Sequence, residues 1–388
     1  MKHTNLIASV LVGGAVMTAG AVQAGGVSDT EIVLGSHSAL SGPVALWGAP
    51  AVEAMRMRFD EINKAGGVHG RTIKLIVEDT QYQVPRAVQA ANKLINRDKV
   101  FAMVGAVGTP MNNAVIPKLI KANIPNLFPF SSSRQMTQPF HRLKFQHFSN
   151  NYDQIRAAVK YFVEEKGVKV VCDIYQDTDY GREIHEATQD QLKVQGLTLA
   201  ASSAHKPSAT DFAAAVAKLK KANCEAIMMG TIIRDTILPV STGKKSGWMP
   251  IWVGPVGIMD TLVASAKGGV TEGLYSMTSF EFAYPDDKRA VVQKFVADYK
   301  ARVGKNPNQA AQLGYVAADL TFQAIKGAGR NLTTDSFVAA MEGISGYQDI
   351  FGGSKLSFGA KKRQGSNDAF LVQVENGRWA RKSGIRGY

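Results

Sequence analysis

Two rounds of alternating strand-like and helical segments limit the folds open to this 388-residue chain. The helical stretches carry apolar residues at 3.6-residue spacing, as at Val52, Met55, Phe59 and Ile62, and another begins at Pro85. This alternation predicts an α/β fold in which helices cover both faces of parallel sheets. The strand candidates are Glu31–Leu34, Ile73–Glu78, Ala102–Gly105, Asn126–Phe130, Val168–Tyr175, Leu197–Ser202, Ala226–Gly230 and Ile251–Gly254.

A pseudo-repeat indicates two similar lobes. The segments GTPMNNAVIPKLIKANIPNLFPFSS and GTIIRDTILPVSTGKKSGWMPIWVGPV share one order of elements: Gly-Thr after a strand, a helix, then a Pro-led strand ending in a loop. In open α/β sheets, ligands bind at the carboxyl ends of the strands. Two facing lobes would therefore line one cleft with Thr109, Ser131, Thr231 and Val256.

The last third of the chain adds further elements. The pattern predicts a helix at Asp260–Lys267, a strand at Glu272–Thr278, and long helices at Asp286–Val303 and Gln309–Lys326. The segment DAFLVQVENGRW predicts a hairpin with its Asn-Gly pair as the turn. We expect the long helices to complete the first lobe.

The N-terminus predicts export. Lys2 and His3 precede an apolar run at residues 6–22, and residues 1–24 have the pattern of a cleaved secretory signal peptide. The run has too few strongly apolar residues for a membrane span. No cysteine follows the cleavage site, so we expect a mature chain without a lipid anchor in the bacterial periplasm.

The charge alone leaves the class of partner open. The formal net charge is +13, which is compatible with nucleic acid, an anionic membrane surface or a small anionic ligand. Export argues against nucleic acid, and the basic residues form no recognition motif with aromatic residues.

The two cysteines leave their redox state open. Cys172 and Cys224 lie in separate strand-like stretches, and an oxidising compartment permits a disulfide between them. Buried free thiols fit the spacing equally well, and two cysteines alone do not make a tetrahedral zinc site. We expect no metal and no cofactor.

Signatures of catalysis are missing from the sequence. There is no Gly-x-Gly-x-x-Gly after a strand, STGKKS lacks the upstream glycine of a P-loop, and IHEATQ lacks the second histidine of a zinc helix. No Gly-x-Ser-x-Gly elbow occurs either. We therefore expect a protein without catalytic residues.

Several stretches carry a resemblance to a known family. They are ALSGPVALWG, INKAGGVHGRTIKLIVEDT, ANKLI, QDTDYGRE and DFAAAVAKLKKANCEAI, in this order along the chain. With them the chain resembles the solute-binding proteins of ABC importers that have the type I periplasmic-binding fold, in the branch of the leucine/isoleucine/valine-binding proteins.

The resemblance implies two doubly wound lobes that close over a ligand by hinge motion. The crossing segments are expected near Phe145–Ser149, Gly273–Thr278 and Leu356–Phe358. The N-terminal lobe would comprise residues 25–146 and 277–356, and the C-terminal lobe residues 147–276 and 357–388.

The resemblance also implies the site. It places Trp47 at the cleft mouth, the Gly108-Thr109 turn and the Ser131, Ser132, Ser133 run at a ligand carboxylate, and Tyr180 on the opposing lobe. Hydroxyl and backbone N–H groups at strand ends form charge-assisted hydrogen bonds with an anion.

Two positions depart from the family pattern. Amino-acid binders of the family hold the ligand ammonium with an acidic residue in the loop where this chain has Val256. A buried ammonium beside valine would lack its charge partner. A further pocket tyrosine of the family corresponds to Ala310 in this chain. The second lobe offers Arg234, whose guanidinium could bind a carboxylate through two parallel hydrogen bonds. The alternative is that Arg234 lies on the helix surface.

The sequence therefore predicts a small carboxylate ligand without an α-amine, most simply an aromatic or aryl-keto acid in contact with Trp47, Phe130 and Tyr180. A branched-chain or other amino acid is the alternative ligand, and a periplasmic ligand-sensing module is the alternative role. The expected partners are a membrane permease and ATPase, with the binding protein itself a monomer.

Overall fold

The structure is a computed structural model that describes residues 25–388. The predicted signal peptide, residues 1–24, lies outside the described residues. Within residues 25–388, no helix combines the length and apolar character that a membrane crossing requires.

A five-stranded parallel sheet forms the core of the first lobe. Its strands are β1 (Glu31–Ser38), β2 (Thr72–Asp79), β3 (Ala102–Val104), β4 (Asn126–Leu127) and β5 (Lys144–Phe145). They pair in the order β2-β1-β3-β4-β5. The connecting helices are α1 (Ala45–Lys64), α2 (Val84–Asn96) and α3 (Thr109–Lys121). Pro85 lies in the first turn of α2, where its missing N–H leaves no helical hydrogen bond unmade.

A seven-stranded sheet forms the core of the second lobe. Its strands are β6 (Val171–Gln176), β7 (Ala201–His205), β8 (Ala226–Gly230), β9 (Ile251–Gly254), β10 (Tyr275–Thr278), β11 (Phe370–Glu375) and β12 (Arg378–Ile385). The order is β12-β11-β10-β9-β8-β6-β7. Its helices are α4 (Asn151–Glu164), α5 (Asp179–Val194), α6 (Ala213–Lys221), α7 (Arg234–Lys245) and α8 (Thr261–Ala264). The predicted two-lobe α/β architecture is thereby confirmed.

The predicted hairpin is present at the edge of the second sheet. β11 pairs antiparallel with both β10 and β12. Asn376 and Gly377 form the turn with φ of 52° and 72°, the left-handed conformation that a two-residue hairpin turn requires.

The predicted helix at Asp260–Lys267 is shorter in the structure. The Asp260 side chain accepts a hydrogen bond from the Leu262 N–H at 2.8 Å, which caps the helix and starts it at Thr261. Gly268 with φ of 72° lies outside the helical region, so the helix does not continue through this segment.

The long C-terminal helices pack beside helix α1 of the first sheet. They are α9 (Ala290–Val303), α10 (Gln309–Ala328) and α11 (Thr334–Glu342). α10 packs along α1 so closely that a Cβ on Gly314 would lie 2.2 Å from the Ala51 carbonyl oxygen. Arg58 of α1 also pairs with Asp319 of α10 at 2.7 Å.

Three segments cross between the lobes and meet at Ser279. The Ser279 hydroxyl accepts a hydrogen bond from the Ser149 N–H at 3.2 Å, and its carbonyl accepts one from the Ser354 N–H at 3.2 Å. The second crossing was expected at Gly273–Thr278, but Tyr275–Thr278 is strand β10 of the second sheet, and the crossing begins at Ser279. The lobe boundaries themselves stay a prediction.

A disulfide joins Cys172 and Cys224, with 5.8 Å between their Cα atoms. Cys172 belongs to β6, and Cys224 precedes the neighbouring strand β8. The bond lies within the second lobe and resolves the question that the sequence left open.

We expect reduction of this bond to lower the free energy of unfolding by about 2–4 kcal/mol, because the cross-link closes a loop with a sequence separation of 52. Urea denaturation with and without dithiothreitol measures the effect. A Cys172→Ala/Cys224→Ala double variant is the control and should not respond to reductant. Equal stability of the oxidised protein and the fully reduced protein, verified by thiol titration, would contradict the prediction.

Candidate ligand-binding site

A cleft lies where the loops after the strands of the two sheets face each other. The space between its lining atoms is about 520 Å³, part of which is open to solvent. The lining consists of Val44, Trp47, Tyr82, Val107, Gly108, Thr109, Phe130, Ser131, Ser132, Phe148, Tyr180, Ile232, Val256, Gly257 and Leu313.

The first lobe supplies the hydrogen-bonding groups of the cleft. The Thr109 and Ser131 hydroxyl oxygens lie 2.8 Å apart. Thr109 is the first residue of α3, so its N–H has no partner in the helix and the positive end of the helix dipole faces this point. Among residues 25–388, neither the Ser131 N–H nor the Ser132 hydroxyl has a hydrogen-bond partner. Together these groups make an uncharged site for an anion.

Gly108 leaves room for the aromatic ring of Tyr82 at the cleft. Its φ is 98°, and a Cβ there would lie 2.8 Å from Cε2 of Tyr82 and 2.2 Å from Cε of Met111. A side chain at this position would displace the Tyr82 ring. The glycine therefore allows Tyr82 to pack directly against the turn that starts α3.

The second lobe presents groups whose polar atoms are already engaged. The Tyr180 hydroxyl donates to the Thr231 carbonyl at 2.8 Å, and the Val256 N–H donates to Oε1 of Gln154 at 2.8 Å. A Cβ on Gly257 would lie 2.4 Å from the Tyr180 hydroxyl oxygen, so glycine is required for this packing. Burial raises the pKa of Tyr180, which keeps the phenol protonated.

Eight of the predicted site residues line the cleft, and three do not. The Ser133 hydroxyl caps the short turn Arg134–Met136 by accepting from the Gln135 N–H. The Thr231 hydroxyl lies 2.6 Å from the Thr236 hydroxyl, and only its carbonyl bonds a cleft residue. Arg234 is exposed and donates to the Pro207 carbonyl at 2.9 Å, so its guanidinium is directed elsewhere.

Other lining residues were missed by the sequence analysis. Tyr82 lies in the loop after β2 with φ of 60°, and its position after a strand end was the one signal available. Phe148 and Leu313 come from a crossing segment and from α10, and only tertiary packing brings them to the cleft. Ala310, expected at the pocket, is buried outside the lining, whereas Leu313, one helical turn later, lines it.

The cleft lining contains no aspartate, glutamate, lysine, arginine or histidine. Asp235 lies outside the lining, and its carboxylate accepts from the Ile232 N–H at 3.0 Å, Nε2 of Gln176 at 2.8 Å and the His205 ring at 3.0 Å. Within residues 25–388, no group of three or more His, Cys, Asp and Glu side chains could hold a metal ion.

Hydrogen bonds join the lobes beside the cleft. Nδ2 of Asn113 donates to Asp179 at 2.7 Å, and the Asn151 N–H donates to the Ser132 carbonyl at 2.6 Å. The Arg134 N–H donates to Glu183 at 2.8 Å. These contacts link α3 and the serine loop to α4 and α5, so the structure shows the lobes closed.

Comparison with known proteins identifies the family. The model of a family described as periplasmic binding protein matches residues 31–378. This chain belongs to the periplasmic binding proteins, in the type I group that resembles the Leu/Ile/Val-binding proteins. Members of the family bind solutes for ABC transporters.

Two kinds of relative illustrate the similarity of this periplasmic binding protein. It is 24% identical over 258 residues to the leucine-, isoleucine-, valine-, threonine-, and alanine-binding protein of Pseudomonas aeruginosa, covering 66% of this chain and 69% of that one. A branched chain amino acid ABC transporter structure from Thermus thermophilus with bound valine has a TM-score of 0.85 at 18% identity, covering 93% and 98% of the two chains. A solute binding protein structure from R. palustris in complex with benzoate has a TM-score of 0.79 at 18% identity, covering 92% and 96%.

Glu183 gives this binding protein a pH-dependent term in its stability. Burial raises the pKa of Glu183 from 4.5 to about 7, although the Arg134 N–H and the Ser133 hydroxyl act in the opposite direction. A carboxyl group with a raised pKa in the folded state keeps a proton that the unfolded state has lost. The contribution of Glu183 to stability therefore falls as the pH rises from about 4.5 to about 7.

We expect Glu183→Gln to remove a pH-dependent loss on the order of 3 kcal/mol over this interval. Urea denaturation of both proteins at several pH values between 4.5 and 7.5 measures it. Glu186→Gln is the control, because Glu186 pairs with the same Arg134 but is half exposed. Parallel pH profiles for wild type and Glu183→Gln would show that Glu183 carries no such term.

Proposed function

We propose that this protein is the solute-binding component of an ABC importer and that its ligand is a small carboxylate without an α-amine, most simply an aromatic or aryl-keto acid. The observation that carries the proposal is the cleft itself. Val256 occupies its second-lobe side, and no charged side chain lines it.

A ligand ammonium would have no charge partner in this cleft. Val256 is buried with 3% exposure, and the carboxylate of Asp235 is occupied by three hydrogen bonds from its own lobe. Desolvating an ammonium without a counter-charge costs several kcal/mol. The cleft therefore disfavours zwitterionic amino acids.

A carboxylate, by contrast, finds donors on the first lobe. The hydroxyls of Thr109, Ser131 and Ser132 and the N–H at the start of α3 suit a single negative charge. The Trp47 indole N–H is buried without an acceptor among residues 25–388 and offers a further hydrogen bond to a ligand oxygen. Such a donor suits an aryl-keto acid or a hydroxylated aromatic acid.

The remaining surface suits a flat apolar body. The rings of Trp47, Tyr82, Phe130, Phe148 and Tyr180 all line the cleft. Aromatic side chains contribute large contact areas and preferred ring geometries to a bound ring.

Similar proteins are described with both kinds of ligand. The R. palustris structure contains benzoate, and the Thermus thermophilus structure contains valine. At 18% identity these likenesses extend to the fold, which accommodates either ligand class. Branched-chain amino-acid binding is the second candidate function, because the Pseudomonas aeruginosa relative is named for such ligands.

Closure supplies the affinity in the proposed mechanism. The ligand carboxylate binds Thr109 and the serines in the open form, and closure brings Tyr180, Ile232 and Val256 over its apolar body. The closed monomer then docks on a membrane permease that acts with its ATPase. A receptor in place of the permease would make the same protein a sensor.

A thermal-shift panel tests the ligand class. We expect residues 25–388 to be stabilised by aromatic and aryl-keto acids, by about 4 kcal/mol at a thousand times the dissociation constant, and not by leucine or valine. Stabilisation by leucine or valine alone would establish the amino-acid alternative.

We expect Val256→Glu to weaken binding of an aromatic acid at least tenfold, because the new carboxylate lies buried in the same closed cleft as the ligand charge. Isothermal titration calorimetry measures the change. Leu262→Glu is the control, since Leu262 lies nearby on α8, is 47% exposed and is absent from the cleft lining. Unchanged affinity in Val256→Glu would remove this residue from the binding surface.

A further inference from the structure

A second cavity lies behind the cleft, among the three crossing segments. The space between its lining atoms is about 360 Å³, a figure that includes space open to solvent. Phe148 belongs to the first crossing segment, Ser279 and Phe280 to the second, and Ser354 and Leu356 to the third. The cavity is therefore built at the hinge.

Two side chains separate this hinge cavity from the ligand cleft. Phe148 and Leu313 line both spaces, and no other residue belongs to both linings. The Phe148 ring packs against His147, with centroids 4.4 Å apart, and against Phe280 at 6.3 Å. Leu313 reaches the boundary from α10 and is 4% exposed.

The hinge cavity suits an uncharged extension of a ligand. Its two acidic groups are already engaged: the Glu281 carboxylate pairs with Arg381 at 2.7 Å, and Asp349 accepts from the Phe351 and Gly352 N–H groups at 2.7 and 2.9 Å. Phe280, Val316, Phe351 and Leu356 provide apolar surface.

We propose that Phe148 and Leu313 form a partition that sets the maximum length of the ligand. The proposal rests on the proposed function and adds the specificity determinant of the same site. With the partition in place, the cleft holds the carboxylate at Thr109 and Ser131 and a body that ends at these two side chains. In the direction of the hinge cavity, a longer tail has no space unless one of them is made smaller.

The length limit also protects the hinge. A tail that passed the partition would contact all three crossing segments next to Ser279, where their backbones are hydrogen-bonded to one another. Close contact there would oppose rearrangement of the crossing segments during opening. The partition thus keeps the ligand away from the part of the crossing segments around Ser279.

The test compares ligand length in wild type and Leu313→Ala by isothermal titration calorimetry. Three homologous series are titrated: benzoate to 4-phenylbutanoate, butanoate to octanoate, and straight-chain α-amino acids of the same lengths. We expect Leu313→Ala to shift the ratio of dissociation constants by tenfold or more in favour of the longer members, about the discrimination that one methylene gives in an apolar pocket.

Two further variants complete the design. Leu320→Ala is the matched control, because Leu320 is a fully buried leucine of the same helix that lines neither cavity, and its length profile should equal that of wild type. Phe148→Leu trims the partition from the other side and replaces Leu313→Ala if that variant does not fold.

The outcomes separate the two proposals. The series that wild type binds decides the ligand class. Binding of amino acids alone overturns the proposed function. The length dependence within that series still tests whether Phe148 and Leu313 limit ligand length. An unchanged length profile in both trimmed variants overturns the partition and leaves the ligand class intact. Failure of wild type to bind any of the three series overturns both.

Discussion

A charged group that is enclosed between two closing lobes needs groups that stabilise its charge. The polar groups of this cleft suit a negative charge. The groups at Thr109 and Ser131 are neutral and lie at a helix start, so they suit an anion and supply no counter-charge to a cation. Opposite them, Val256 and Ile232 provide no polar side chain. The ligand that we propose follows from this arrangement: one negative end at the first lobe and an apolar body facing the second.

Packing within each lobe supports the two sides of the cleft. Helix α10 packs closely against α1 at Gly314, which joins this C-terminal helix to the first lobe. The disulfide fixes neighbouring strands of the second lobe and spans no crossing segment. The proposed hinge motion would therefore involve the crossing segments around Ser279. Asn113 and Glu183 form hydrogen bonds across the cleft where the lobes meet.

Much of the fold was predictable, because periodicity reports which face of an element is buried. The alternation of strands and helices, the terminal hairpin and the strand-end position of Val256 all came from local pattern. Arg234 did not reach the cleft, because a charged residue at the start of a helix is free to bond outward, here to Pro207. Phe148 and Leu313 were missed because no local pattern records which side chains meet when a crossing segment packs beside a distant helix. Whether Cys172 and Cys224 form a disulfide could not be decided from the sequence for the same reason, because β6 and β8 are neighbours in the sheet but not along the chain.

The two sides of the cleft differ in one further respect. On the second lobe, the Tyr180 hydroxyl and the Val256 N–H are bound to their own lobe, so closure adds apolar contact and little new hydrogen bonding to a ligand. Burial of apolar surface carries a negative heat-capacity change, and its strength varies with temperature. Salt weakens interactions between exposed charges but has little effect on such contacts. In the proposed complex, the contribution of the second lobe to affinity would therefore depend on temperature more than on ionic strength.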